Sequence, residues 1–170
     1  IGLEAVGVFG LLLAAVVIGS KVIGLGLYFV ANRDMVGRSP DQQAAIIRDQ
    51  QITFIPQYLL LLGLSALLWT AFATPLWPSW GVVMILLIFN HQVVELIQIL
   101  IALHRPMQAN GVFFINSGWA YCAIAAGVIW PEAQTFEAVL HMWCAGVVVA
   151  TLLAVWFLRD IPVLAACKKA

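Results

Sequence analysis

The sequence predicts an all-α fold, a polytopic transmembrane helical bundle with about five membrane-spanning helices. The first observation behind this prediction is composition: 64% of the 170 residues are hydrophobic and 9% are charged. A soluble domain usually has about a quarter of its residues charged. The second is a series of five apolar runs close to the ~20 residues with which a helix crosses a bilayer. Because lipid offers the backbone no hydrogen-bond partners, we predict that these runs are helices.

The predicted spans form a single transmembrane domain over residues 1–170. The first is too long for the apolar core of a signal peptide and has no basic segment before it, so we predict a true span. The fourth is the shortest and contains two polar residues. In chain order the spans are Ala5–Ala31, Thr53–Ala73, Gly81–Leu103, Val112–Trp130 and Phe136–Leu158.

The hydrophilic stretch before the second span contains a helix start. Ser39 is followed by Pro40, and Gln42 stands three residues after the serine. This spacing is typical of a capping box with proline at the first helical position. We therefore predict a helix that runs from Pro40 into the second span and kinks near Pro56, which lacks a backbone donor.

Proline also separates the later spans. Pro75 and Pro78 fall between spans two and three, Pro106 follows the third span, and Pro131 lies between spans four and five. The short connections predict that spans two and three, and spans four and five, are antiparallel hairpins.

The basic residues predict the orientation of the bundle. With five crossings, the first loop, the third loop and the C-terminal tail share one side of the membrane. Lys and Arg concentrate on the cytoplasmic side of membrane proteins. We therefore expect an integral membrane protein with its N-terminus outside and its C-terminus in the cytoplasm or the equivalent organellar compartment. The residues concerned are Arg33, Arg38, Arg48, Arg105, Arg159, Lys168 and Lys169.

Lys21 is the one basic residue inside an apolar run, and the third span carries its possible partner. Glu95 lies at a similar depth in a helix that runs in the same direction, and a charged side chain in the bilayer must find a partner or face water. We predict that Lys21 and Glu95 approach each other within the bundle. His91 and Gln98 lie four residues before and three after Glu95, so all three share one helix face.

Further polar residues converge on the same half of the membrane and predict a polar pocket lined by spans one to four. The candidates for a ligand or ion pathway are Lys21, Gln57, His91, Glu95, Gln98 and Asn116. In one alternative the Lys21–Glu95 pair only specifies helix packing, and in another it pairs with a second subunit. Desolvation favours the neutral imidazole. We therefore predict a neutral His91 hydrogen-bonded to Glu95, an amide or a small molecule.

The sequence identifies no cofactor, and quinone and haem b are the two alternatives. Haem b needs two facing imidazoles, but His91 and His141 differ in depth by about 7 Å at the rise of an α-helix. A quinone pocket needs one histidine or carboxylate and aromatic walls, which Phe89, Trp119 and Trp143 offer. No metal site is predicted, and His91 and His141 are the residues such a site would recruit.

No catalytic set is present: the sequence has no Ser-His-Asp set, no P-loop and no Gly-rich dinucleotide turn, so we expect a protein without enzymatic activity. The net charge of zero argues against nucleic-acid binding. The expected partners are the lipid bilayer and other membrane subunits or a second copy of the chain. The leading interpretation is a membrane-embedded subunit of a larger complex. The alternatives are a small stand-alone transporter or proton-conducting protein, and a quinone- or haem-associated redox anchor.

Overall fold

The computed structural model describes residues 3–72 and 80–161, and these form six α-helices. Five of the helices are long and apolar enough to cross a membrane, which confirms the predicted all-α, multi-pass architecture. The helices are α1 (Leu3–Gly24), α2 (Leu27–Met35), α3 (Pro40–Phe72), α4 (Trp80–Ala102), α5 (Pro106–Ile129) and α6 (Phe136–Phe157).

The apolar run predicted as one helix over Ala5–Ala31 is interrupted. Helix α1 ends at Gly24 and α2 starts at Leu27, and both residues between them have positive φ, 45° at Leu25 and 71° at Gly26. Glycine enters this region without steric cost. Apolar patterning carries no signal for such a break, because both sides of it remain hydrophobic.

Helix α3 begins as predicted. The Ser39 backbone N–H donates to Gln42 Oε1 at 3.2 Å, and the Gln42 N–H donates to Ser39 Oγ at 3.4 Å. These two reciprocal bonds are those of a capping box. The helix continues through Pro56 into the second span.

The fourth and fifth spans are joined by a short 3₁₀ turn at Pro131–Ala133. Helix α5 starts at Pro106, six residues before the predicted span. Helix α6 starts where predicted, and the Thr135 side chain caps it by accepting the Ala138 N–H at 3.1 Å.

Helix α4 lies at the centre of the bundle and belongs to two apolar clusters. Its first half packs with α1 and α6 around Leu86, Leu87 and Trp143. Its second half packs with α2, α3, α5 and α6 around Leu96, Ile99 and Leu100. Many large apolar side chains on the other helices are exposed, as expected where lipid is the solvent. The polar residues His91 and Glu95 lie between the two clusters along α4.

Candidate functional site

The site is built on two buried side chains of α4. His91 and Glu95 are 1% and 2% exposed, and they lie one helical turn apart. The Nε2 atom of His91 is 3.6 Å from Oε1 of Glu95. This distance is beyond a direct hydrogen bond. The two groups are therefore neighbours that face each other across a small gap.

Helix α3 supplies the hydrogen-bond partners of both groups. The Tyr58 hydroxyl lies 2.5 Å from His91 Nδ1, and Gln50 Nε2 donates to Glu95 Oε2 at 2.7 Å. The amide of Gln92 donates to the Tyr58 oxygen at 2.7 Å. Phe54 packs edge-on against the imidazole, with ring centroids 4.7 Å apart. A chain of polar contacts thus runs from Gln92 through His91 to Gln50, with the 3.6 Å gap between His91 and Glu95 as its one interruption.

The contacts at Nδ1 are consistent with one tautomer of a neutral His91. Because the Tyr58 oxygen already accepts from Gln92, its hydroxyl proton is available for His91 Nδ1. A neutral imidazole has one donor and one acceptor nitrogen, so its own proton then lies on Nε2. This buried Nε2 has no hydrogen-bond partner among the described residues. It faces Glu95, which leaves one donor available to a ligand or to the carboxylate.

Helix α1 approaches this pair closely at a glycine. A Cβ atom added at Gly24 would lie 3.0 Å from Glu95 Oε1 and 3.1 Å from His91 Nε2. One turn away, the Asn90 amide donates to Ser20 Oγ at 3.0 Å, and Ser20 donates to the Val16 carbonyl. Gly24 therefore lets α1 pass directly over the polar pair.

A cavity of about 410 Å³ opens beside the pair, where α1, α2 and α4 meet. Lys21, His91 and Glu95 all line it, together with Val17, Ser20, Gly24, Gly26, Tyr28, Phe29, Asn90 and Val94. Its wall therefore combines apolar side chains with a lysine, a histidine and a carboxylate.

Lys21 shares the cavity with Glu95 but forms no ion pair with it. Within residues 3–72 and 80–161, no carboxylate lies within 4.0 Å of the Lys21 ammonium. The side chain is exposed, and its Nζ lies 5.8 Å from the centre of the Tyr28 ring. The break after Gly24 brings Tyr28 under the lysine. Gln50 and His91, rather than Lys21, contact the carboxylate.

The structure does not bring the other predicted candidates to the cavity. Gln57, Gln98 and Asn116 are half-buried, and none of them lines it. The Gln57 Oε1 and Asn116 Oδ1 atoms are buried without a hydrogen-bond partner in the described part of the chain. The lining comes from α1, α2 and α4, with α3 behind the polar pair. The sequence predicts a pocket lined by all four of the first spans, and the structure differs from this prediction.

The residues considered for cofactors are dispersed. His141 is exposed on α6 while His91 is buried on α4, so the two imidazoles do not face each other as a haem would require. The rings of Trp119 and Trp143 stack, with centroids 5.4 Å apart. Trp119 lines a separate cavity of about 450 Å³ that does not include His91. The described residues contain no group of three His, Cys, Asp or Glu side chains that could hold a metal ion.

Sequence reasoning missed Gln50 and Tyr58, although a signal for them exists. Gln43, Gln50, Tyr58 and Ser65 recur at intervals of seven, eight and seven residues. Residues at such intervals share one face of a helix. Gln50, Tyr58 and Ser65 of this polar stripe contact α4, and Gln43 contacts α2. Gln57 lies about 100° around the helix from Tyr58.

Comparisons of the chain with protein-family models, with curated proteins and with solved structures give no match.

Proposed function

We propose that this multi-pass membrane protein moves protons across the membrane, with Glu95 and His91 as its intramembrane proton-binding groups. The observation that carries the proposal is the chain of polar contacts from Gln50 through Glu95, His91 and Tyr58 to Gln92, which is buried at its first three members and half-buried at the last two. Ionisable residues inside membrane helices are costly, and they commonly mark ion pathways and proton relays.

The chemistry of the chain suits proton transfer. With the ring proton on Nε2, the relay runs from Tyr58 toward Glu95. The carboxylate of Glu95 rotates to close the 3.6 Å gap and accepts the Nε2 proton, while the Tyr58 hydroxyl proton moves to Nδ1. Tyr58 regains a proton from water on its own side of the pathway, Glu95 releases its proton at the cavity, and a rotation of the ring resets the relay.

Polar contacts extend beyond the central pair toward the start of α4. Trp80 Nε1 donates to Ser65 Oγ at 3.1 Å. Ser65 lies seven residues beyond Tyr58 on the polar stripe of α3. In the other direction, Gln43 donates to the Met35 carbonyl at 3.3 Å. The interface between α3 and its neighbours is thus polar at intervals along its length, which supports a pathway rather than one isolated pair.

The proposal is tested with the purified chain in liposomes that contain a trapped pH-sensitive dye. A potassium gradient and valinomycin set the membrane potential that drives protons inward. We expect wild-type protein to acidify the lumen faster than empty liposomes. Glu95→Gln and His91→Gln should reduce the rate to that of empty liposomes, because each removes a proton-binding group at similar side-chain volume.

The matched control for this experiment is Glu137→Gln, which neutralises an exposed carboxylate in the first turn of α6. This variant should retain the wild-type rate. A wild-type rate equal to that of empty liposomes would refute the proposal, and so would a Glu95→Gln variant as fast as the wild type.

We also propose that the N-terminus lies outside and the C-terminus on the cytoplasmic side. The support is the distribution of Arg and Lys between the loops. In a chain with its native cysteines replaced by serine, single cysteines at Ser39 and Glu132 should react with a membrane-impermeant maleimide from opposite sides. Labelling of both positions from the same side would refute this orientation.

A second candidate function is that of a subunit in a larger membrane complex. The observation that favours it is the exposed Lys21 side chain within the apolar α1. Lys21 lies at the edge of the cavity, and an exposed charge at this depth in a membrane is costly. A carboxylate from a partner helix would offset this cost. Native mass measurement of protein extracted in mild detergent tests this candidate. A mass equal to one copy of the chain alone would argue against it.

A further inference from the structure

A further cavity with polar lining lies between the start of α5 and the end of α6. Its volume is about 280 Å³. We call it the α5–α6 groove, and its lining residues are Arg105, Gln108, Trp156, Phe157, Arg159 and Asp160. None of these residues belongs to the cluster around His91.

Arg105 forms a bidentate ion pair at one wall of the groove. Its Nη1 and Nη2 atoms donate to the two carboxylate oxygens of Asp160 at 2.9 and 2.6 Å. Nη1 also donates to the Phe157 carbonyl at 2.8 Å. This bidentate geometry fixes the guanidinium and balances its charge against one carboxylate.

Arg159 supplies the charge that is not balanced. In the part of the chain that the structure describes, no carboxylate lies within 4.0 Å of its guanidinium. The group lies over the Trp156 ring instead, with Cζ 4.4 Å from the ring centre. Two arginines and one aspartate give the groove a net charge of +1. The groove therefore matches a ligand with a single negative charge.

Gln108 adds an unused acceptor to the groove. Its Oε1 atom is buried and has no hydrogen-bond partner among the described residues. A buried polar atom without a partner costs free energy, so a hydroxyl or ammonium group of a ligand at this point would be stabilising. The groove thus combines a site for an anion with an acceptor for a donor group attached to it.

The position of the groove selects a lipid. Trp156 is 51% exposed near the end of the apolar α6, and tryptophan concentrates at the headgroup level of membranes. Leu152 and Val155, one turn or less before it, are 61% and 55% exposed. Acyl chains can pack against these side chains while the headgroup occupies the groove.

We propose that the α5–α6 groove binds an anionic phospholipid through its phosphodiester, with Arg159 on the phosphate and Gln108 on a hydroxyl of the headgroup. A phosphodiester carries one negative charge, which equals the net charge of the groove with opposite sign. Phosphatidylglycerol has both features, a phosphodiester and a headgroup with two hydroxyls. Basic pockets between membrane helices are known to hold lipid headgroups in this way.

The test is native mass spectrometry of the full chain in detergent with added phosphatidylglycerol, compared with phosphatidylcholine. Wild-type protein should retain more bound phosphatidylglycerol than phosphatidylcholine. Arg159→Gln should weaken its apparent affinity about fivefold, the effect of one basic residue near an anionic lipid. Arg159→Lys should retain most of the affinity because the charge remains. Gln108→Met should weaken binding without changing the charge of the groove.

Arg33→Gln is the matched control, since it removes an exposed arginine that pairs with Asp34 far from the groove in sequence. It should bind phosphatidylglycerol like the wild type. Equal retention of the two lipids, or wild-type affinity in Arg159→Gln, would overturn the proposal. Inorganic phosphate serves as a third arm: binding of free phosphate that displaces the lipid at equal concentration would assign the groove to a soluble anion instead.

Discussion

The imidazole of His91 has two contacts with α3, with Tyr58 at Nδ1 and with the perpendicular ring of Phe54. A buried polar group without a partner costs about 1–3 kcal/mol. The hydroxyl of Tyr58 therefore stabilises the fold, in addition to the role in proton transfer that we propose for it. The structural and the functional roles of this residue can be separated by measuring stability and proton flux in the same variant.

The first prediction concerns Tyr58→Phe, which removes one oxygen and leaves both His91 Nδ1 and the Gln92 amide without their shared partner. We expect the free energy of unfolding to fall by about 1–3 kcal/mol. The measurement is equilibrium unfolding in mixed detergent micelles. Tyr121→Phe is the control, because Tyr121 is 71% exposed on α5 and should change stability little. Equal stabilities of the two variants would contradict the hydrogen-bond assignment.

The second prediction concerns the close approach of α1 to α4 at Gly24. A methyl group there would meet Glu95 Oε1 at 3.0 Å and His91 Nε2 at 3.1 Å. Because both side chains are held by α3, we expect Gly24→Ala to destabilise the protein by about 1–3 kcal/mol and to slow any proton flux. Thermal unfolding and the liposome assay measure the two effects.

Gly10→Ala is the control for this prediction, since it lies on the same helix with nothing within 4 Å of the added Cβ. Alanine is the better helix former there by up to about 1 kcal/mol. The control should be as stable as the wild type or more so. If Gly24→Ala behaved in the same way, the contact between α1 and the polar pair would not be tight.

Among the elements, α3 combines a surface helix start and a membrane span in one helix of 33 residues. Its capping box allows it to begin outside the apolar region. The first turn is capped by Ser39, and the polar stripe contacts α2 at Gln43 and α4 from Gln50 to Ser65. Register along this helix therefore decides whether Gln50 and Tyr58 meet their partners.

The third prediction is that Ser39→Ala loosens the start of α3. Loss of the serine oxygen leaves the Gln42 N–H without its partner, and substitution of a serine N-cap by alanine costs about 1 kcal/mol. Hydrogen exchange of the backbone amides over residues 40–44 should speed up accordingly. Ser117→Ala, at an exposed position inside α5, should leave this exchange unchanged. Unaltered exchange in Ser39→Ala would contradict the cap.

The break between α1 and α2 is the element that most affects the cavity. It turns the chain after Gly24, so that Tyr28 and Phe29 of α2 form one wall of the cavity. Lys21 of α1 lines the same cavity. If α1 continued without a break, Tyr28 and Phe29 would lie farther along the α1 axis and away from the cavity. The positive φ at Gly26 is therefore a condition for the cavity.

In the whole molecule, the pair of Arg105 and Asp160 ties the link between α4 and α5 to the end of α6. Hydrogen bonds from Arg105 lower the pKa of Asp160, and the same bonds raise the pKa of Arg105. A carboxyl group with a lowered pKa in the folded state contributes stability above its ordinary pKa. That contribution is lost as the pH falls through the lowered value.

The fourth prediction is that Asp160→Asn lowers the stability of the fold at neutral pH but not at low pH. Because the Asp160 side chain is largely exposed, we expect a loss of at most about 1 kcal/mol at neutral pH. The stabilities of variant and wild type should converge as the pH falls below the usual range of an aspartate. Thermal unfolding over a series of pH values measures this. Asp34→Asn, in a looser pair at 3.6 Å, should show a smaller difference. A difference between Asp160→Asn and wild type that is independent of pH would contradict the linkage.

The membrane class, the helical fold and the start of α3 could be predicted from local signals alone. Apolar length fixes a span because the bilayer has one thickness, and a cap depends on residues three positions apart. His91 and Glu95 were predicted as a shared face for the same reason, since their spacing of four residues is a property of one helix. In each case the interacting groups are neighbours in the chain.

Contacts between helices depended on the tertiary structure. The rotation of α3 about its axis selects Tyr58 over Gln57 as the partner of His91. The break after Gly24 places Lys21 over Tyr28 rather than against Glu95. Gln50 reaches Glu95 across 45 residues of sequence. Depth in the membrane can be estimated by counting residues, but the direction in which a side chain points is set by packing of small residues between helices. The sequence therefore determined which polar residues lie at similar depth along the predicted spans, and only the packed bundle decided which of them touch.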